Sequence, residues 1–280
     1  MTQQAAFPAV VSTTWLAENL RRPELVLLDC SMRKVVGKEP LVYERLAVIP
    51  GAQQLDLEQQ LLDISAALPN AFPSAAQVSA VMQALGVDAN SLIVLYDNQG
   101  IYSAPRAWVI LKAMGHKQVA VLDGGLPQWL NEQRATESNY AQASSAGNFM
   151  AQFEPSWLVN KQQVEAALQQ AQVGIVDARS ADRFHGHKPE PRADMRSGHI
   201  PGSCNLPFGE LMQGFCFMPP EQLAAAFSTL GLSNKQQLLF TCGSGITACI
   251  LLLAAEHAGL TPSKQLYDGS WAEWGLIQSS

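Results

Sequence analysis

The sequence predicts an α/β fold of two tandem domains, each a mainly parallel sheet flanked by helices. Three observations carry that prediction. Short apolar runs of strand length alternate with stretches of helical character, the pattern of repeated βα units. Landmarks of the first half return in the second at a fixed spacing, the mark of duplication. Of the 280 residues, 48% are hydrophobic and 15% charged, which suits packed cores and argues against disorder.

The landmarks can be followed in order. The first half offers the apolar run Leu25-Val26-Leu27-Leu28-Asp29, then Ile49-Pro50-Gly51. A helical pattern ends at Leu85-Gly86-Val87, a strand runs from Leu92 to Tyr96, and Leu122-Asp123-Gly124-Gly125 precedes Trp129. The second half answers with Val173-Gly174-Ile175-Val176-Asp177, Ile200-Pro201-Gly202, Leu230-Gly231-Leu232, Leu238 to Thr241, and Tyr267-Asp268-Gly269-Ser270 before Trp274. Gly86 and Gly231, Asp123 and Asp268, and Trp129 and Trp274 are each separated by 145 residues (231 − 86, for instance). Pro50 and Pro201 are 151 apart, as a loop insertion gives. Between the halves, Asn131–Phe153 is polar and without clean periodicity. This sets a first domain at residues 1–135, a linker at 136–155 and a second domain at 156–280. Pro155-Ser156-Trp157-Leu158-Val159 opens the second domain and leads to a helix face of Val164, Ala167 and Leu168.

The totals exclude several classes. Net charge is −6 and no strongly basic run occurs, which argues against nucleic acid. The cysteines are Cys30, Cys204, Cys216, Cys242 and Cys249, an odd number with no C-x-x-C pair, so neither a disulfide framework nor a zinc ribbon is expected. Reduced thiols suit the cytosol. The first eight residues lack a charged and apolar leader pattern, and the longest apolar stretch, Ala248 to Ala255, is too short to span a bilayer. His185 and His187 have a spacing close to that of metal ligands, but no cysteine or carboxylate cluster completes a site, so neither metal nor cofactor is expected.

The chemistry points to one stretch. Leu238-Leu239-Phe240-Thr241 reads as a buried strand and Ala248 to Ala255 as a helix; Cys242-Gly243-Ser244-Gly245-Ile246-Thr247 lies between them. The first N–H groups of a helix lack partners within it, and the helix dipole makes that end positive. A thiol held there ionises more readily, and the thiolate is the attacking form. Gly243 and Gly245 are expected to let the backbone curl into a nest of N–H groups facing the sulfur. Cys249, in the apolar helix with no adjacent glycine, reads as an ordinary buried thiol. The repeat places Asp97 opposite Cys242, so the first domain has the loop without the nucleophile and is expected to wall a cleft.

Three motifs now resemble those of the two-domain rhodanese-like sulfurtransferases: Gly198-His199-Ile200-Pro201-Gly202, Tyr267-Asp268-Gly269-Ser270-Trp271-Ala272-Glu273-Trp274, and the six-residue loop from Cys242 to Thr247. The resemblance spans nearly the whole chain. It implies two rhodanese-like domains and a reaction in which Cys242 carries sulfur as a persulfide. The uncharged Cys-Gly-Ser-Gly loop is similar to that of the branch using 3-mercaptopyruvate; the thiosulfate branch usually has an Arg-Lys pair there. The resemblance implies Cys242 and Ser244 in catalysis. It implies Gly243, Gly245, Ile246 and Thr247 in holding the transferred group, and Arg183 and Arg192 in gripping the donor's carboxylate and keto oxygen. Read without it, both arginines are solvated surface charges. Implied partners are a small sulfur donor, 3-mercaptopyruvate or thiosulfate, and a thiophilic acceptor such as cyanide, a thiol or a thioredoxin-like protein. No nucleic acid and no membrane are expected.

The family often keeps a histidine before Ile-Pro-Gly in the first domain and assigns it to proton handling with an aspartate and the loop serine. Here that position is Val48, which leaves Ser244 or a bound water. His199 reads as a turn brace. Other readings are a thiosulfate sulfurtransferase, a sulfur carrier without turnover, and a Cys-loop phosphatase. The last requires an arginine where Ala248 stands.

Overall fold

The structure is a computed structural model and describes residues 7–277. The segment read for a leader lies outside these residues as far as position 6. In chain order the elements are β1 (Val10–Val11), α1 (Thr13–Asn19), β2 (Leu25–Asp29), β3 (Gln53–Gln54), α2 (Leu57–Gln60), α3 (Ala75–Ala84), β4 (Leu92–Tyr96), α4 (Ala104–Ala113), β5 (Val119–Leu122) and α5 (Gly125–Asn131). Then follow β6 (Leu158–Val159), α6 (Lys161–Ala167), β7 (Val173–Asp177), α7 (Ala181–Phe184), β8 (Cys204–Asn205), β9 (Met212–Gln213), β10 (Cys216–Phe217), α8 (Pro220–Ser228), β11 (Gln237–Thr241), α9 (Ala248–His257), β12 (Ser263–Tyr267) and α10 (Ser270–Trp274).

The strands form two five-stranded sheets with all pairings parallel, ordered β1-β5-β4-β2-β3 and β6-β12-β11-β7-β8. The order is the same in both, as duplication requires. Each central strand is apolar on both faces because both are covered. In β4, Ile93 and Leu95 face one core while Val94 and Tyr96 face another. In β11, Leu238 and Phe240 alternate with Leu239 in the same way. Leu16 of α1 and Trp129 of α5 cover the outer face of the first sheet; Val164 of α6 and Trp271 of α10 cover that of the second.

The inner faces share one continuous core. Helices α4 and α9 meet there, and both are buried almost all round. A helix enclosed on every side carries apolar residues on every side. Against that rule α4 carries Arg106, with its side chain wholly buried.

The polar stretch after α5 is strapped to the first domain through its backbone. Val48 pairs with Glu137, Gly147 N–H donates to the Gln83 carbonyl at 2.8 Å, and Phe149 N–H to that of Val87 at 3.1 Å. A short antiparallel hairpin, β9–β10, has no counterpart in the sequence reading. It reaches from the second domain onto the first, where Phe217 N–H donates to the Asp123 carboxylate at 2.9 Å.

Candidate functional site

Cys242 stands at the carboxyl end of β11, directly before the loop that leads into α9. Ligands of open α/β sheets bind outside the carboxyl ends of the strands. Only 2% of Cys242 is exposed, yet it lines a cleft of about 150 Å3 between the two domains. The sulfur is therefore shielded without being sealed in hydrocarbon. The second domain contributes Arg183, Arg192, Ser244 and Thr247 to the walls; the first contributes Lys34, Asn70 and Tyr102.

The base of the loop is clamped by α10. Cys242 N–H donates to Ser270 Oγ at 3.2 Å, and the carbonyls of Cys242 and Gly243 accept from the N–H groups of Trp271 and Ala272, both at 2.9 Å. Ser270 sits in the left-handed region, at φ 49°, and its hydroxyl donates to the Tyr267 carbonyl at 2.8 Å. The two loop glycines differ in purpose. Gly245 has φ 79°, and a Cβ there would lie 2.9 Å from the Asp268 carbonyl oxygen. Gly243 is not left-handed, contrary to the expectation that both glycines curl the chain. What lies against it is the Arg183 guanidinium, 2.9 Å from where a Cβ would stand, which would have to shift to admit one.

The first-domain copy shows what such a loop gathers. The Asp97 carboxylate accepts from four backbone N–H groups, those of Gln99, Tyr102, Ser103 and Ala104, at 2.8–2.9 Å. That loop closes on its own anion. At the same spacing of 145, the counterparts of Gln99, Tyr102 and Ser103 are Ser244, Thr247 and Ala248. Gly100 and Gly245 are both left-handed, so the two loops turn alike. By that correspondence Cys242 holds the place of Asp97, at the start of the loop that leads into the N-terminus of α9.

Around this loop the charges are organised. Arg179, wholly buried, pairs with Asp177 and with Glu190, both at 2.7 Å, and its guanidinium lies 4.5 Å from the centre of the Trp271 ring. Glu190 also pairs with Arg183, which is half-released into the cleft at 14% exposure. Arg192 is exposed at the rim, and so is Lys34 from the other side. Ile246 is buried, and Thr247 precedes α9 without a capping hydrogen bond and lines the cleft.

Burial pushes the Cys249 thiol up to about 12, with its sulfur donating to the Gly245 carbonyl at 3.2 Å. Cys216 is likewise pushed up to about 12 by burial, and Cys30 well above the usual thiol range. Tyr102 is raised to about 12, chiefly by burial, so its hydroxyl stays neutral.

Val48, where a family histidine was sought, is fully buried and pairs with the linker backbone away from the cleft. The first-domain side chain that meets Ser244 is Asn70, whose Nδ2 donates to Ser244 Oγ at 2.8 Å. His199 stacks on Phe184 with ring centres 4.0 Å apart and contacts its carbonyl at 2.9 Å, bracing α7. Arg106 was also missed. It donates to Asp268 Oδ1 at 2.6 Å, to the Asn70 carbonyl at 2.6 Å and to the Gly245 carbonyl at 3.3 Å. Its signal was an arginine inside an apolar helix, at the position where the second copy has Leu251.

Known proteins share this fold. A family model for the rhodanese-like domain matches residues 12–132 and 160–276. The 3-mercaptopyruvate sulfurtransferase of Rattus norvegicus is 36% identical over 282 residues, covering 98% of this chain and 94% of its own. The thiosulfate sulfurtransferase of Cricetulus griseus is 35% identical with the same coverage. The crystal structure of SseA, a 3-mercaptopyruvate sulfotransferase from Escherichia coli, superposes with a TM-score of 0.81 at 33% identity, over 94% of this chain and 99% of that one.

Proposed function

This chain belongs to the rhodanese-like family and holds its domain in two copies, and on that premise we propose that its second copy moves sulfane sulfur from 3-mercaptopyruvate to a thiophilic acceptor through a persulfide on Cys242. One observation carries the reading. A cysteine before a helix N-terminus lies in a cleft whose own loop is uncharged and whose cations, Arg183, Arg192 and Lys34, come from other elements.

The Cys242 thiolate attacks the donor's sulfur, and pyruvate leaves. The loop N–H groups then stabilise charge on the outer sulfur, as an oxyanion hole does for oxygen. A second nucleophile, which is cyanide in an assay and a thiol or thioredoxin-like protein in the cell, takes that sulfur. Covalent catalysis of this kind gives double-displacement kinetics. The first domain, with Asp97 closing its loop, serves as a wall of the cleft. The division into residues 1–135, 136–155 and 156–280 follows these roles. The five cysteines are free, which suits a reducing compartment, and we place the enzyme in the cytosol.

Arg183 and Arg192 bind the carboxylate and keto oxygen, Arg183 with the guanidinium edge that Glu190 leaves open. Each arginine replaced by alanine weakens mercaptopyruvate use by about 1.5–3 kcal/mol in kcat/KM, the range for a hydrogen bond to a charged group. Unchanged kinetics in both variants remove them from the site.

Thiosulfate is the competing donor, favoured by the Cricetulus griseus relative. Glu190 argues for the keto acid. Its carboxylate offsets part of the positive charge of Arg183, which suits a monoanion better than a dianion. The deciding assay compares kcat/KM for the two donors with cyanide as acceptor; a thiosulfate value above that of mercaptopyruvate rejects the first reading. No helix among the described residues is long and apolar enough to cross a membrane.

A further inference from the structure

The loop of the second domain is completed by a side chain of the first. Asn70, at φ 56°, aims its Nδ2 at both oxygens of Ser244, the hydroxyl at 2.8 Å and the carbonyl at 3.2 Å. A carbonyl can only accept, so the NH2 end of the amide must face it. That fixes the Asn70 amide without reference to its neighbours. Arg106 holds the pose by donating to the Asn70 backbone carbonyl at 2.6 Å. Because Nδ2 donates into Ser244 Oγ, the hydroxyl proton must point elsewhere. Among the described residues it has no acceptor, and Ser244 lines the cleft beside Cys242. A neutral amide takes no proton at physiological pH, so this pair cannot pass one away from the serine.

We propose that Asn70 is a positioning residue that aims the Ser244 hydroxyl proton into the cleft, making Ser244 a hydrogen-bond donor to the keto oxygen of the sulfur donor and not a base. The proposal rests on the mercaptopyruvate reading above and assigns a role within it. In the first half-reaction a sulfur–sulfur bond forms between Cys242 and the donor as the donor's carbon–sulfur bond breaks. The electron pair of the broken bond passes to the methylene carbon and, by conjugation, to the keto oxygen, giving the pyruvate enolate. The proton of the donor's sulfhydryl then reaches the methylene carbon through solvent. The products are pyruvate and a persulfide anion, and no oxidant or reductant is consumed. Negative charge develops on the keto oxygen, where a donating hydroxyl stabilises the transition state more than the ground state. Thiosulfate has no keto oxygen, so its transfer gains nothing from that proton.

The two donors therefore provide the test. Wild type, Asn70→Asp and Ser244→Ala are assayed with each donor and cyanide. In Asn70→Asp the carboxylate is nearly isosteric and tolerates the left-handed backbone, but it accepts the Ser244 proton and withdraws it from the cleft. The expected result is a fall of about 100-fold in mercaptopyruvate kcat with KM changed less than about threefold. The ratio of mercaptopyruvate to thiosulfate kcat/KM drops about 30-fold or more in Ser244→Ala, which adds no charge to the cleft. The double variant is no worse than either single one, because both remove the same interaction. Proportionate losses on the two donors, or a change in KM alone, overturn the proposal and leave Asn70 a structural contact. If Asn70→Asp does not fold, as judged by its unfolding midpoint, Ser244→Ala carries the same comparison. Failure of the wild type to use mercaptopyruvate rejects the donor reading instead, and this role for Asn70 with it.

Discussion

Replacing Cys242 with serine stops sulfur transfer, lowering turnover by about 10,000-fold or more, the scale on which loss of an enzyme's nucleophile is felt. A serine hydroxyl ionises far above physiological pH and cannot carry sulfane sulfur. The fold should survive the change. The loop is held by its backbone, through Ser270, Trp271 and Ala272, and none of those hydrogen bonds involves the sulfur. The side chain belongs to the inner core as well as lining the cleft, so exchanging its sulfur for a hydroxyl costs about 1–2 kcal/mol of stability. Intact-mass measurement after donor addition should show one added sulfur atom on the wild type and none on the variant. Cys249 cannot rescue it, being buried within α9, raised to about 12 and bonded to the Gly245 carbonyl. Turnover or a persulfide in the Cys242→Ser protein would falsify the assignment of the sulfur carrier.

Much of this was legible in the chain. The spacing of 145 located two sheets of identical strand order, because a duplicated domain keeps the apolar runs that its parent buried. The strand, loop and helix around Cys242 followed from Leu238–Thr241, two glycines and an alanine-leucine run. What periodicity cannot give is which side chain of one domain meets the other. Asn70 lies in the irregular Leu68-Pro69-Asn70-Ala71-Phe72-Pro73, and nothing in its neighbours announces Ser244. The search for a partner at Val48 failed for a related reason. The Ile-Pro-Gly motif marks a turn, and a motif fixes local geometry while leaving its distance from a remote sulfur open. Gly243 teaches the same point. Its backbone is ordinary, and the group that lies against it, the Arg183 guanidinium, comes from another element.

Arg106 yields the other large effect. Substituting methionine there should lower stability by about 2–4 kcal/mol, the cost of removing the enclosed partner of an ion pair whose carboxylate keeps 20% exposure. The guanidinium is fully enclosed and bridges three groups: Asp268 of the second domain, the Gly245 carbonyl of the Cys242 loop and the Asn70 carbonyl of the first domain. Methionine keeps the apolar contact with Phe72, whose ring centre lies 5.2 Å from the guanidinium carbon, but satisfies none of the polar groups. Asp268 retains only the Phe72 N–H at 3.0 Å as a donor from the first domain. Lysine should recover little, since one ammonium cannot span the fork that reaches all three oxygens. Neutralising the abandoned carboxylate should help more: Arg106→Met with Asp268→Asn should be less destabilised than Arg106→Met alone, a coupling that a cavity effect does not produce. Sulfur transfer should fall with both donors in proportion, because the whole loop loosens, in contrast to the donor-selective loss expected at Asn70. Urea unfolding followed by tryptophan fluorescence, beside the two-donor assay, measures both. A wild-type unfolding midpoint in Arg106→Met would mean that the two domains hold the Cys242 loop without the arginine, and that the shared apolar core between α4 and α9 suffices.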